Sequence, residues 1–106
     1  MSYAAQAPGR GEIDALEGAA VLEFGTDWCG YCRAAQPLVA EALAGQPALR
    51  HIKVEDGPGR PLGRSFAVKL WPTLIFLRDG KEIARVVRPA SASQLAQALA
   101  QIAPAA

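Results

Sequence analysis

Both cysteines of this chain fall within Asp27-Trp28-Cys29-Gly30-Tyr31-Cys32, two residues apart and directly after an apolar run at residues 20–24. As a covalent staple such a pair does little. The chain-entropy model assigns about 2 kcal/mol to so small a ring, against about 3 kcal/mol for fifteen residues. As a redox couple it is well placed. Residues i and i+3 of a helix lie roughly 5–6 Å apart, inside the window a disulfide needs. The two sulfurs can join and separate with little backbone movement, so the pattern points to chemistry rather than scaffolding.

The bulk properties narrow the classes. A chain of 106 residues makes one domain that buries roughly two-thirds of its unfolded surface without staples. It is 51% hydrophobic and 20% charged, an ordinary globular balance. Eleven basic and ten acidic side chains leave a net charge of +1, with no run of like charge. That argues against a nucleic-acid footprint or a basic membrane patch as partner. No apolar stretch approaches the ~20 residues of a membrane helix. The first ten residues show neither a basic leader nor an apolar core, so the expected location is cytoplasmic. A cytosolic cysteine pair is catalytic, redox-sensing or metal-binding. A tetrahedral metal site wants four ligands, and beyond the pair the chain offers His51, so no metal is expected.

Along the chain, residues 1–12 are rich in Ala, Pro and Gly and read as a flexible leader to a single domain over residues 13–106. Residues 13–17 suit a helical turn, and residues 20–24 a buried strand. Leu38, Val39, Ala42 and Leu43 recur at helical spacing after the cysteines, with Pro37 bending that helix and Gly45 capping it. Residues 49–55 read as a second strand and residues 61–67 as a short helix opened by proline. Residues 73–78 carry the strongest strand pattern, joined to residues 81–87 by the hairpin turn Asp79-Gly80. Ser91 with Gln94 makes a capping box for a last helix whose apolar stripe is Leu95, Leu99 and Ile102. The order β-α-β-α-β-β-α predicts an α/β domain whose central mixed sheet of about four strands is flanked by helices.

The chain resembles the thioredoxin family. The residues that carry the likeness are Trp28-Cys29-Gly30-x-Cys32, Pro37, Trp71-Pro72-Thr73 and the Asp79-Gly80 turn. The likeness covers roughly four-fifths of the chain, from Val21 to the last helix. It implies a thioredoxin-like fold whose first strand is short or absent, because little chain precedes Val21.

In that family Cys29 would be the nucleophile. At the helix N-cap its sulfur would lie beside unpaired N–H groups and the positive end of the helix dipole, which favours thiolate. Cys32, one turn inward, would resolve the mixed disulfide. Tyr31 stands where most thioredoxins have proline. Its restored N–H offers the thiolate a further donor, or its ring shields the disulfide. Pro72 matches the family's cis-proline, which directs the Trp71 peptide toward a substrate strand. Trp28, Gly30, Tyr31, Trp71, Pro72 and Thr73 are thus expected to line the substrate groove. Glu23 matches a buried aspartate and Lys53 its companion. Desolvation would raise the Glu23 pKa and let it take the Cys32 proton. His51, on the same strand as Lys53, reads as incidental. Arg88 replaces a glycine that borders the groove and would narrow it or favour acidic partners.

The resulting expectation is a thiol–disulfide oxidoreductase that reduces protein disulfides, needs no cofactor beyond its own disulfide, acts as a monomer and is recharged by a flavoprotein disulfide reductase. A disulfide oxidase or isomerase, and a redox-sensing or partner-binding module without turnover, are the alternatives.

Overall fold

The computed structural model describes residues 2–103. The apolar run forms β1 (Ala19–Gly25), preceded by α1 (Arg10–Asp14) and followed by α2 (Gly30–Leu43) and β2 (Arg50–Glu55). Then come α3 (Pro61–Ser65), β3 (Thr73–Arg78), β4 (Lys81–Val87) and α4 (Ala92–Ile102). The four strands stand in the order β2-β1-β3-β4. β1 runs parallel to β2 and antiparallel to β3, which pairs antiparallel with β4. The mixed four-stranded sheet is the one expected.

Helices cover both faces of the sheet, which is why β1 is apolar throughout rather than alternating. Leu22, Phe24, Ile75 and Leu77 pack with Ile13 of α1 and with Leu62 and Phe66 on one face. Val21, Leu74 and Phe76 pack with Val39 of α2 and Leu95, Leu99 and Ile102 of α4 on the other. Each such side chain contributes about 1.5–3 kcal/mol when fully buried. Strand alternation puts Glu23 on the same face as Val21, where Gln36 of α2 reaches it.

Local chemistry explains most of the boundaries. Asp79 (φ 50°) and Gly80 (φ 77°) both take positive φ, the requirement of a type I′ hairpin turn. Gly80 is fixed twice over, because a Cβ there would lie 2.0 Å from the carbonyl oxygen of Asp14. β4 carries a bulge: Phe76 pairs with Ala84 and Leu77 with Glu82, leaving Ile83 unpaired. Ser91 Oγ accepts from the Gln94 N–H at 3.4 Å, while Gln94 Oε1 accepts from the Ala90 N–H at 2.7 Å. The expected capping box is therefore shifted by one residue on its return bond.

Three expectations change. Gly45 follows the αR C-cap Ala44 but does not take the left-handed conformation, so it makes no glycine cap. The helical turn expected at residues 13–17 lies earlier, from Arg10 to Asp14, because Gly9 serves as N-cap and Ile13 is the residue driven into the core. The segment read as a flexible leader is tied down. Tyr3 is 6% exposed, and its N–H donates to Asp27 Oδ1 at 2.9 Å. Ala4 bridges Val54 in parallel, donating to the Lys53 carbonyl at 3.0 Å and accepting from the Glu55 N–H at 2.9 Å. A family first strand is thus reduced to one bridge on the β2 edge. Composition alone could not show that one buried ring and two backbone bonds anchor this stretch. Among the described residues no helix is long and apolar enough to cross a membrane.

Candidate active site

The chain leaves β1 through Gly25, Thr26 and Asp27 and enters α2 with Cys29 as N-cap. The Cys29 backbone is extended (φ −78°, ψ 121°), and its Sγ accepts the Cys32 N–H at 3.3 Å. The N-cap position expected of Cys29 is thus present. The donor, however, is the N–H of Cys32 at the third helical position and not that of Tyr31 at the second. The Cys29 Sγ thus takes the N–H of the third helical position, one of the two that N-cap geometry offers. Both thiols are free.

The two sulfurs differ in environment. Cys29 is 7% exposed and Cys32 fully buried, whereas Trp28 (75%) and Tyr31 (60%) stand out into solvent beside them. The openness of the site belongs to the aromatic rim rather than to the sulfur itself. Trp28 and Trp71 meet edge to face, with centroids 5.8 Å apart. Trp71 also packs against the two cysteines and Tyr3, and its Nε1 donates to Asp56 Oδ2 at 2.8 Å. The Trp71–Pro72 peptide is cis. Gly30 is exposed, with open space where a Cβ would be. Thr73 does not join this rim. It is buried, and its hydroxyl donates to the Leu70 carbonyl at 2.6 Å, because it begins β3 with its side chain turned inward. Arg88, at φ 49°, lays its guanidinium 3.7 Å over the Tyr31 ring and donates from Nε to the Trp71 carbonyl at 2.9 Å.

Beneath Cys32 lies a polar network inside the sheet–helix layer. Glu23 is fully buried. Its Oε1 bonds His51 Nε2 at 2.8 Å. Its Oε2 accepts from the Tyr3 hydroxyl and, at 3.1 Å, from Gln36 Nε2. Gln36 Nε2 also lies 3.2 Å from the Tyr3 hydroxyl and 2.9 Å from the Cys32 carbonyl, and its Oε1 accepts from Lys53 Nζ at 2.6 Å. The Lys53 ammonium sits 4.5 Å from the centre of the Tyr3 ring. His51 and Lys53 reach Glu23 because β2 pairs with β1 in a register that sets Val21 opposite His51 and Glu23 opposite Lys53.

This network overturns the expected pKa of Glu23. Burial pushes the carboxyl up, but the bonds from His51, Tyr3 and Gln36 and the charge of Lys53 outweigh it and hold Glu23 below its ordinary value. Desolvation was the right first cause; the donors were invisible in sequence. Cys32 goes the other way. Burial pushes its thiol up to about 11, helped by the hydrogen bond and charge of Cys29, while bonds from the Thr26 backbone and the Tyr3 side chain pull it down. Burial, then the Glu23 charge and bond, raise Tyr3 far above an ordinary phenol.

His51, read as incidental on the Lys53 strand, proves to be a direct partner of Glu23. Two further members of the site, Gln36 and Tyr3, lay outside the sequence reading. Gln36 carried a faint mark, a polar residue four positions after Cys32 on a helix. Tyr3 carried none beyond being an aromatic in a stretch of small residues. Among the described residues no group of three or more His, Cys, Asp and Glu is arranged to hold a metal.

The thioredoxin family model matches residues 10–101. The solved structure of reduced thioredoxin 2 from Pseudomonas aeruginosa PAO1 superposes with a TM-score of 0.83 at 64% identity, covering 92% of this chain and 91% of that one. Thioredoxin from Chlamydia trachomatis serovar D is 40% identical over 72 residues, 66% of this chain and 69% of its own length. Thioredoxin H-type 1 from Nicotiana tabacum is 34% identical over 67 residues, 63% of this chain, and the match spans 53% of that relative's length. With the family model matched from α1 through α4, and the paired thiols on the first turn of α2, the chain belongs to the thioredoxin family.

Proposed function

We propose that the protein is a thiol–disulfide oxidoreductase that reduces protein disulfides. The observation that carries this reading is the free pair on one helical turn, with the Cys29 sulfur bonded to the Cys32 N–H at 3.3 Å and Cys32 buried behind it. The Cys29 thiolate attacks one sulfur of a substrate disulfide. A Cys29–substrate bond forms, the substrate S–S bond breaks, and the first substrate thiolate leaves and takes a proton. Cys32 then loses its proton and attacks Cys29, closing the Cys29–Cys32 disulfide and releasing the second substrate thiolate. The substrate gains two electrons and the pair loses two. A two-electron donor, in our reading a flavoprotein disulfide reductase, restores the dithiol. The reducing direction fits a cytoplasmic setting.

The rim around Cys29 supports substrate capture by Trp28, Gly30, Tyr31, Trp71 and Pro72. A substrate strand that pairs with the Trp71 peptide competes with Arg88 Nε for the Trp71 carbonyl. An acidic substrate side chain offers the displaced guanidinium a partner; among the described residues Arg88 forms no ion pair with a carboxylate. For peptide disulfides flanked by Asp rather than Lys, we expect a preference of about fivefold, the scale of an exposed ion pair of about 1 kcal/mol. Arg88→Glu should reverse it; an unchanged ratio of kcat/KM would discard the selective role.

The activity itself is tested by insulin reduction with dithiothreitol as electron source. The protein should accelerate precipitation of the insulin B chain, and Cys29→Ser should bring the rate back to that of dithiothreitol alone. Equal rates with and without the wild-type protein would refute the enzyme and favour a partner-binding module.

A further inference from the structure

We infer that Tyr3 carries the proton between Cys32 and Glu23 during resolution of the mixed disulfide, its hydroxyl standing between the buried sulfur and the buried carboxylate. The inference rests on the oxidoreductase reading above. Its ground is geometry. The Tyr3 hydroxyl is bonded to Glu23 Oε2, and Gln36 Nε2 spans both groups at 3.2 and 3.1 Å. Above the Cα of Gly25, the point a Cβ would occupy lies 2.6 Å from Cys32 Sγ, 2.8 Å from the Tyr3 ring carbon bearing the hydroxyl and 2.9 Å from that oxygen. Sulfur and phenol thus share the space that glycine vacates. Glu23 has no comparable route of its own, because Oε1 is engaged by His51 and Oε2 by Tyr3 and Gln36.

The step balances without an added reagent. In the mixed disulfide the Cys32 S–H bond breaks toward the Tyr3 oxygen while the Tyr3 O–H proton passes to Glu23 Oε2. Phenol stays neutral, the carboxylate becomes a carboxylic acid, and a thiolate is left at Cys32. Its electron pair forms the bond to Cys29 Sγ, and the Cys29–substrate pair of electrons leaves with the substrate sulfur. The acid then returns the proton by the same chain to that thiolate or to solvent. A cavity of about 180 Å³ bordered by Tyr3, Cys32 and Gln36 reaches the exposed residues Ser2, Asp27 and Arg33 and supplies the exit. Timing follows from the neighbours. The hydrogen bond and charge of Cys29 help hold the Cys32 proton in the free dithiol, and both vanish once Cys29 is bound to substrate.

Reaction with a dinitrobenzoate disulfide reagent reads the two chemical steps separately, because Cys29 attack releases one chromophore and Cys32 resolution the second. Tyr3→Phe keeps the ring and removes the hydroxyl. It should leave the first phase unchanged and slow the second about 100-fold, the low end of what a positioned acid–base group supplies, with the pH midpoint of the second phase displaced upward. Glu23→Gln should slow the same phase, and the double variant no further. A second phase in Tyr3→Phe within about twofold of wild type, with the same pH profile, overturns the relay. So does a double variant whose losses multiply. If the wild-type protein itself shows no second release, the oxidoreductase reading has failed instead.

Discussion

Cys32→Ser should convert the protein from a catalyst into a trap. Cys29 still attacks, so a Cys29–substrate disulfide accumulates in equal molar amount to the protein and is seen as an intermolecular band that dithiothreitol removes. Turnover of insulin should fall by at least about 10³-fold, because an internal thiol acts at an effective concentration of 10⁵ M or more against millimolar external thiol. The loss differs in kind from that of Cys29→Ser, which should form no adduct at all. The buried location of Cys32 sharpens the contrast, since external thiols must reach the Cys29–substrate bond past Trp28, Tyr31 and Trp71. If Cys32→Ser turns over at near the wild-type rate, resolution does not pass through Cys32 and the proposed sequence is wrong.

The second large effect concerns acid stability. Glu23 is held below its ordinary pKa, with burial opposed by His51, Tyr3, Gln36 and Lys53. A carboxyl whose folded pKa lies below its unfolded one binds fewer protons in the native state. Its contribution is therefore complete above the unfolded value of about 4.3 and drains away as pH falls through the folded value. Glu23→Gln should cost about 2 kcal/mol at pH 7, since the new amide presents a donor to Gln36 Nε2 in place of an acceptor. Near 50 °C that corresponds to a Tm lower by about 8 °C or more for a domain of this size. As the solution is taken well below pH 4.3, the gap between variant and wild type should close. A gap that widens instead on acidification would mean that the folded carboxyl titrates above the unfolded one. Thermal melts at several pH values decide between these outcomes.

Sequence gave clear access to whatever depends on local pattern. The strand at residues 73–78, the Asp79-Gly80 turn and the cap at Ser91 are each determined by neighbours within a few positions, and each stands where the pattern places it. The cysteine pair was equally plain, because spacing and following helix are both local. The interior of the site was not. Glu23 meets His51, Gln36 and Tyr3 across 28, 13 and 20 positions of chain, and only the packed sheet and α2 bring them together. One carboxylate with several donors behaves oppositely to a carboxylate merely removed from water, so the direction of its pKa could not be read from residue identity. Thr73 shows the same limit on a smaller scale: its motif neighbour Trp71 stands at the rim against Trp28, while its own side chain points into the core.

The docking of Tyr3 and Ala4 has a practical corollary for anyone preparing this protein. Chain added on the amino-terminal side of Tyr3 is joined to a ring that packs in one cluster with both cysteines. The last helix, α4, packs on α2, β3 and β4, and none of its residues belongs to the cluster around the two cysteines. Kinetic comparisons among variants should accordingly be made on material with an unmodified amino end.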